Sequence, residues 1–337
     1  MRFLSLPAPW RVLAMCRTLR RIGLGGNLPG LRQLAAGRIC PPMADPTAIF
    51  DRTLVRRRRD RAAATQHRVA PILTEAAERL LDRLDDTTRR FSRALEIGGR
   101  GMIAPRLAAR GVGQVISADL SPALVRGAGG LPVAMDEEWL PFAEGSFDLV
   151  VAFLSLHWVN DLPGALVQIR RAMAPDGLFL AMLPGLPTLQ ELRAATAEAE
   201  AELRGGLSPR VSPFPELRDG AGLLQRAGFA MPVADAEDIA LAYRDPFALL
   251  ADLRAAGETN AVLARDRRTP PRALFPLAAA RLPSVAQGVP ATLRLMVLTG
   301  WSPAEGQPKA ARPGSATARL ADAFGTVERG TGEKAGR

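Results

Sequence analysis

Cysteine and histidine are scarce in this 337-residue sequence, and their scarcity limits the chemistry it can carry. The two cysteines, Cys16 and Cys40, both lie within the first 42 residues. The rest of the chain can therefore form no disulfide, zinc–thiolate site or iron–sulfur cluster. Because His67 and His157 are the only histidines, any site that needs three is excluded. We predict no metal site.

Long apolar runs and an even spread of positive charge are also missing. No apolar segment reaches the roughly 18 residues of a membrane-spanning helix, which argues against an integral membrane protein. The net charge of +10 is concentrated in residues 1–68, which hold 14 arginines and three acids. The other 269 residues hold 30 basic and 31 acidic side chains. Because this body is nearly neutral, we predict no nucleic-acid partner.

The N-terminal segment 1–42 has seven arginines and no acid. This composition is typical of a targeting peptide, or of an extension translated from an early start codon, with Met43 as the natural start. We predict a disordered or targeting-like extension. The favoured location is the bacterial cytoplasm, and the alternative is the mitochondrial matrix. We also predict a loosely ordered tail over 302–337, which is rich in Gly, Pro and Ala.

A run of arginines, Arg56 to Arg59 with Arg61, follows the extension. We interpret it as a solvated helix face, because charge runs usually are. The alternative is a peripheral contact with a membrane surface or an acidic partner.

From about residue 69 the pattern alternates between amphipathic helices and short apolar runs bounded by turn residues. The runs are "RALEIG", "QVISAD", "LPVAMD", "FDLVVAFLSL" and "GLFLAML". Alternating elements of this kind predict an α/β fold with a Rossmann-like, doubly wound and mostly parallel sheet. The apolar run Phe147 to Leu156 suits a central strand buried on both faces.

The pattern changes after Gly185. We assign the core to 69–185, a helical insertion that covers the cleft to 187–228, and C-terminal strands and helices to 229–301. Thr188 and Glu191 form a capping-box pattern that predicts the start of the first inserted helix. The whole domain spans 43–301.

Polar or glycine residues follow four successive predicted strands. They are Glu96 with Gly98, Gly99 and Gly101, then Asp119, then Asp136, then Ser155 to Trp158. Ligands of open α/β sheets bind outside the carboxyl ends of the strands, where glycine lets a ligand approach the backbone. An acid about 20 residues after the loop can accept hydrogen bonds from a ribose. The sequence therefore predicts a nucleotide-type site at these strand ends.

Several segments carry a family resemblance. The glycine loop, Asp119, "DEEWLPFAEGSFDLVV" and "MAPDGLFLAML" resemble class I S-adenosylmethionine-dependent methyltransferases. "IFDRTLVRRRRDRAA", "SLHWVNDLPGAL" and "GGLSPRVSPF" resemble the family of the mitochondrial complex I assembly factor, which has a methyltransferase fold and is described as an arginine hydroxylase. A looser resemblance is to the malonyl-carrier-protein methyltransferase of biotin synthesis.

The resemblance implies S-adenosylmethionine as the cofactor and assigns residues to its parts. Glu96, Gly98, Gly99 and Gly101 would lie along the methionine moiety, Asp119 with Leu120 at the ribose, and Asp136 with Glu137 at the adenine. Ser155 and His157, followed by Trp158, would approach the sulfonium, so we name His157 and Trp158 as candidate catalytic residues. The partner implied is a protein substrate, either a complex I subunit or an acyl carrier protein.

The glycine loop departs from the family pattern, which places glycines at positions 98, 100 and 102. This chain has Arg100 and Met102 there, which we interpret as a one-residue deletion. Arg100 itself could pair with the methionine carboxylate.

We predict an enzyme, an S-adenosylmethionine-dependent methyltransferase, and two alternatives remain open from the sequence. A methyltransferase needs little acid–base machinery, because positioning and desolvation supply most of the effect. An arginine hydroxylase with a conventional non-haem iron site would require His67 and His157 to converge. The second alternative is a non-catalytic assembly factor that holds a partner.

Overall fold

The computed structural model describes residues 47–307, residue 315 and residues 320–327. The predicted extension 1–42 and most of the predicted tail lie outside these residues. The described residues fall into two compact units, which are residues 47–303 and the described residues from 304 to 327. The site belongs to the first; the second contains one described helix, Leu320–Phe324.

One seven-stranded sheet organises the first unit. Its strands are β1 Arg93–Ile97, β2 Gln114–Asp119, β3 Leu131–Ala134, β4 Phe147–Phe153, β5 Met173–Pro184, β6 Ala230–Tyr243 and β7 Val289–Trp301. The order in the sheet is β3-β2-β1-β4-β5-β7-β6. Strands β1 to β5 pair in parallel, whereas β7 runs antiparallel to both β5 and β6. The mostly parallel α/β fold predicted from the sequence is confirmed.

The described helices of this unit connect and cover the strands. They are α1 Arg52–Ala62, α2 Ala70–Asp82, α3 Ala104–Ala109, α4 Pro122–Arg126, α5 Leu162–Ala172, α6 Gln190–Arg204, α7 Leu217–Arg226, α8 Pro246–Ala255 and α9 Leu274–Arg281. Short 3₁₀ turns lie at Gln66–Val69 and Leu156–Trp158.

Strand β4 lies at the centre of the core. Val150 and Ala152 belong to the apolar cluster on one face of the sheet, and Leu149, Val151 and Phe153 belong to the cluster on the other. Successive side chains of a strand point to opposite faces, so a strand covered on both sides reads as one continuous apolar run. This explains why the sequence located β4, although the strand ends at Phe153 and the predicted end, Leu156, lies in a 3₁₀ turn.

The capping box predicted for the first inserted helix is wrong. The Thr188 hydroxyl donates to the carbonyl of Arg294 at 2.8 Å, and Glu191 accepts from the backbone N–H of Thr292 at 3.1 Å. Both side chains therefore hydrogen-bond to strand β7 instead of capping their own helix. The residue before α6 is Leu189, with a left-handed φ of 56° and no side-chain cap.

The arginine run in α1 is only partly the solvated face that we expected. Arg56, Arg57 and Arg61 are exposed, but Arg58 is half-buried and Arg59 is completely buried. Val55, Arg59 and Ala62 form the buried stripe of the helix, at the spacing of one helical face. The interpretation as a solvated face is therefore wrong for Arg59, which points into the protein.

Candidate functional site

The carboxyl ends of β1, β2 and β4 meet at one edge of the sheet. Ile97 is paired in register with Ala118 of β2 and with Ala152 of β4. Asp119 ends β2, and Ser155 follows the end of β4 by two residues. The parallel pairing therefore brings together the residues that the sequence placed at the ends of separate strands.

The loop after β1 packs closely against its surroundings. Gly98 has φ of +75°, and a Cβ there would lie 2.5 Å from the Cβ of Ser155. A Cβ on Gly99 would lie 1.8 Å from Oε1 of Glu96. At Gly98 the Cβ would also lie 2.7 Å from the carbonyl oxygen of Phe153, so glycine is required there, whereas a side chain at position 99 would displace the Glu96 carboxyl.

Glu96 is fully buried and only partly hydrogen-bonded. Its Oε2 accepts from the Ser117 hydroxyl at 3.3 Å, whereas Oε1 has no partner among the described residues. Burial raises the pKa of Glu96 to about 8. A buried carboxyl with an unused oxygen is suited to a ligand that brings a hydrogen-bond donor or a cation.

Asp119 and Ser155 carry further unused polar atoms. Asp119 Oδ1 accepts from the backbone N–H of Ser121 at 2.6 Å, but Oδ2 has no partner in the described residues. The Ser155 hydroxyl is buried and likewise unpartnered there. Because buried polar groups are nearly always hydrogen-bonded, three such atoms at adjacent strand ends indicate a ligand site.

Two arginines of α1 neutralise the acids beyond β2 and β3. Arg59 donates through Nη1 to Glu137 at 2.7 Å and contacts Oδ1 of Asp119 at 3.5 Å. Arg52 donates to Asp136 at 2.6 Å and also to Glu137. Burial alone would raise the pKa of Glu137, but Arg59 and Arg52 outweigh it and lower that pKa to about 2. Glu137 is thus an internal ion-pair partner.

Glu258, in the loop after α8, connects the glycine loop to the segment after β4. Its Oε2 accepts from His157 Nε2 and from Trp158 Nε1, both at 2.8 Å, and Oε1 accepts from Arg100. Burial alone would raise the pKa of Glu258, but Arg100 and His157 outweigh it and hold that pKa below its ordinary value. Arg100 also donates to the carbonyl of Ala256 at 2.7 Å. The structure therefore gives Arg100 a different partner from the cofactor carboxylate that the sequence suggested.

The contact with Glu258 fixes the state of the His157 ring. Burial lowers the pKa of His157 despite the neighbouring carboxylate, so the imidazole is neutral near pH 7. An ionised Glu258 accepts a hydrogen bond from Nε2–H, which leaves the lone pair on Nδ1. Nδ1 is buried and has no partner among the described residues.

Trp158 and Leu120 pack on one side of this group. The Trp158 ring lies edge-on to Phe50, with centroids 5.3 Å apart, and Leu120 packs against the same cluster. Trp158 is therefore both a core residue and a hydrogen-bond donor to Glu258.

A cavity of about 1030 Å³ opens beside His157 and Trp158. Leu154, Arg100 and Glu258 also line it, so it reaches the end of β4. Its far walls come from the inserted helix α6, helix α8 and strands β6 and β7. The cavity has the size of a small-molecule site.

Neither a metal centre nor a membrane span is found in the part of the chain that the structure describes. No three His, Cys, Asp or Glu side chains are grouped there so as to hold a metal ion. His67 is exposed in its 3₁₀ turn, whereas His157 is buried. None of the described helices is long and apolar enough to cross a membrane.

Comparisons with known proteins identify the class. Residues 95–181 match the family model described as a methyltransferase domain. The YcgJ protein from Bacillus subtilis is similar in structure, with a TM-score of 0.47 and 17% identity over 67% of this chain and 98% of its own. The chain therefore contains a methyltransferase domain, the class that the sequence resemblance implied.

Two groups of relatives define the family within that class. The arginine-hydroxylase NDUFAF5, mitochondrial, of Danio rerio is 37% identical over 81% of this chain and 89% of its own length. The malonyl-[acyl-carrier protein] O-methyltransferase of Methylovorus sp. is 34% identical over 76% of this chain and 90% of its own. This chain belongs to the family of the arginine-hydroxylase NDUFAF5, and the resemblance drawn from the sequence is confirmed.

Sequence reasoning did not assign Arg52, Arg59 or Glu258 to the site. A signal existed for the first two, because they lie seven residues apart and so share one helical face. Two buried carboxylates near the strand ends, Asp119 and Glu137, require counter-charges, and this pair of arginines was available to supply them.

Proposed function

We propose that the protein is an S-adenosylmethionine-dependent methyltransferase. The observation that carries the proposal is the set of buried, unpartnered oxygens on Glu96, Asp119 and Ser155 at adjacent strand ends. They lie beside a glycine loop that packs too closely for side chains. A ligand with several hydrogen-bond donors would satisfy all three atoms.

The residues present fit that cofactor. The Glu96 carboxyl would hold the amino group of the methionine moiety, and Asp119 Oδ2 would accept from the ribose. Arg59 contacts only Oδ1 of Asp119, so Oδ2 stays available. Gly98 and Gly99 would allow close backbone approach, and Asp136 would lie near the adenine.

The cofactor supplies an electrophilic methyl group on a sulfonium. Glu258 orients His157 and leaves a basic Nδ1, which would accept a proton or hydrogen bond from the acceptor. Apolar walls around the cavity exclude water, which strengthens the electrostatic contacts made there. Glu258 is a positioning residue in this scheme, because it acts through His157.

A binding titration with S-adenosylmethionine tests the cofactor site. We expect Asp119→Ala to weaken binding by about 1–3 kcal/mol, because the ribose hydrogen bonds are lost. Asp86→Ala is the matched control, since Asp86 is exposed in the turn after α2. Equal affinity of the Asp119 variant and the wild-type protein would show that the ligand binds elsewhere.

Methyl transfer requires its own measurement. Incubation with radiolabelled S-adenosylmethionine and a cell extract should yield a labelled product, and the first acceptors to be tested are proteins and carrier proteins. Tight binding without any labelled product would favour the non-catalytic assembly factor.

Arginine hydroxylation is the second candidate, favoured by the names of the relatives. Its test is the intact mass of the complex I subunit in cells with and without this protein. A mass increase that depends on the protein would support hydroxylation, and an unchanged mass would remove this candidate.

The same relatives bear on location. Their names include the mitochondrion, and we extend our alternative location, the mitochondrial matrix, to this chain as a proposal. Uptake of the full chain by isolated mitochondria, with protection from added protease, tests it. A chain that stays accessible to protease would favour the bacterial cytoplasm.

A further inference from the structure

The cavity beside His157 has an apolar interior. Leu73, Leu192, Leu241, Leu249 and Leu293 line it, and they come from five different elements of the fold. Walls of this kind offer no hydrogen bonds to most of a ligand, so they favour an apolar chain over a polar peptide segment.

The charged side chains of the cavity are mostly arginine. Nine arginines and three acids line it. All three acids are engaged by other groups of the protein: Glu258 by Arg100, Asp266 by Arg204, and Asp252 by Tyr243. Asp51, which does not line the cavity, pairs with Arg265 at 3.4 Å, and Asp266 also contacts Arg268 at 3.9 Å, so the arginines still outnumber the acids near them.

Besides Arg58, four lining arginines form no ion pair with any described residue. They are Arg61, Arg68, Arg254 and Arg267. All four are exposed, so they lie where the cavity meets solvent. The mouth of the cavity therefore carries uncompensated positive charge above apolar walls.

Arg58 lies close to two other arginines of this mouth, Arg61 and Arg265. It is half-buried, and its guanidinium donates to the carbonyl of Thr259. Burial lowers its pKa to about 10, and repulsion from Arg265 and Arg61 adds to the effect. A bound anion would relieve this repulsion.

We propose that the cavity binds a single-chain anionic amphiphile, with the apolar chain among the leucines and a phosphate or carboxylate head between Arg58, Arg61 and Arg265. Guanidinium groups recognise both heads through charge-assisted hydrogen bonds. The same charges disfavour a cationic group, including an arginine side chain, at this mouth. The binding claim stands whether or not the protein transfers methyl groups.

Calorimetry below the critical micelle concentration tests the proposal. Dodecyl phosphate should bind with a stoichiometry of one, more tightly than butyl phosphate or inorganic phosphate. Dodecyltrimethylammonium, with the same chain and the opposite charge, should not bind. Arg58→Gln should weaken dodecyl phosphate binding roughly tenfold or more, because a hydrogen bond between charged groups is lost.

Matched variants separate binding from folding. Arg57→Gln should leave binding unchanged, since Arg57 is exposed on the same helix and does not line the cavity. Arg61→Gln should weaken binding about threefold, and it should leave the fold intact because the exposed Arg61 side chain forms no ion pair with the described residues. Leu250→Trp should weaken dodecyl phosphate binding more than phosphate binding, because it fills the cavity. Circular dichroism checks that each variant is folded.

Three outcomes would overturn the proposal. Equal binding of the anionic and cationic chains would remove the role of the arginines. Equal binding of dodecyl phosphate and inorganic phosphate would remove the role of the apolar walls. Association with phosphatidylglycerol vesicles, without any binding of monomeric dodecyl phosphate, would indicate a membrane surface instead. A failure to bind S-adenosylmethionine would contradict only the proposed function.

Discussion

Replacing Arg59 with methionine should destabilise the protein strongly. The Arg59 side chain is fully buried, and its partner Glu137 is fully buried as well, at 2.7 Å. Removing one member of a buried ion pair typically costs 3–5 kcal/mol, because the other charge is left without compensation. Arg52 still contacts Glu137, but Asp119 would lose its one ion pair among the described residues, so we expect a loss within that range, about 3–5 kcal/mol.

Urea denaturation followed by circular dichroism measures this loss. Arg57→Met is the matched control, an exposed arginine on the same helix, and it should change the free energy of unfolding by less than about 0.5 kcal/mol. The double variant Arg59→Met with Glu137→Gln removes both charges of the Arg59–Glu137 pair. Its loss of unfolding free energy should therefore be smaller than the sum of the losses in the two single variants.

The pH dependence gives a second readout. The folded-state pKa of Glu137 is lowered from its usual 4.5 to about 2. Its ion pairs therefore stabilise the fold fully above about pH 4.5, and this stabilisation is lost as the pH falls toward 2. The difference between the wild-type protein and Arg59→Met should shrink over the same range. If Arg59→Met costs no more than Arg57→Met at pH 7, the buried ion pair is not what holds α1 in place.

Between pH 5 and 7, the affinity for S-adenosylmethionine should rise with pH by up to tenfold per pH unit, because Glu96 must lose its proton to pair with the ligand's amino group. Calorimetry at several pH values measures this slope. The same slope in Glu96→Gln would contradict the assignment. Glu258→Gln should lower the free energy of unfolding by about 2 kcal/mol in urea titrations, since hydrogen bonds to a charged group are weakened, whereas the exposed control Glu144→Gln should have no effect. Gly98→Ala should cost about 1–3 kcal/mol more than Gly145→Ala, because both glycines have positive φ but only Gly98 lacks room for a Cβ; equal thermal stability of the two would refute this.

The sheet could be predicted because its signals are local. Each parallel strand contains a short apolar run bounded by turn residues, and the runs in β4 and β5 are the longest. Given the parallel order, the acids at the strand ends had to lie near one another. Glu96 and Asp119 were found in this way, from patterns no longer than a few residues.

The rest of the site depends on contacts between distant parts of the chain. Arg59 and Glu137 are 78 positions apart, and Arg58 contacts a carbonyl 201 positions away. Nothing in the arginine run itself indicates which of its members faces the sheet. The capping-box prediction failed for a similar reason. The Thr188 hydroxyl hydrogen-bonds to both the carbonyl and the N–H of Arg294 in β7, and not to its own helix end.

The position of α1 has a consequence for the order of folding. The helix leaves the ribosome before any of its partners, and the loop that receives Arg58 is made about 200 residues later. Until strands β2 and β3 have formed, the guanidinium of Arg59 stays in water, because no acid is yet positioned to compensate it in the interior. We therefore infer that α1, the first described helix in the chain, packs onto the sheet late in folding.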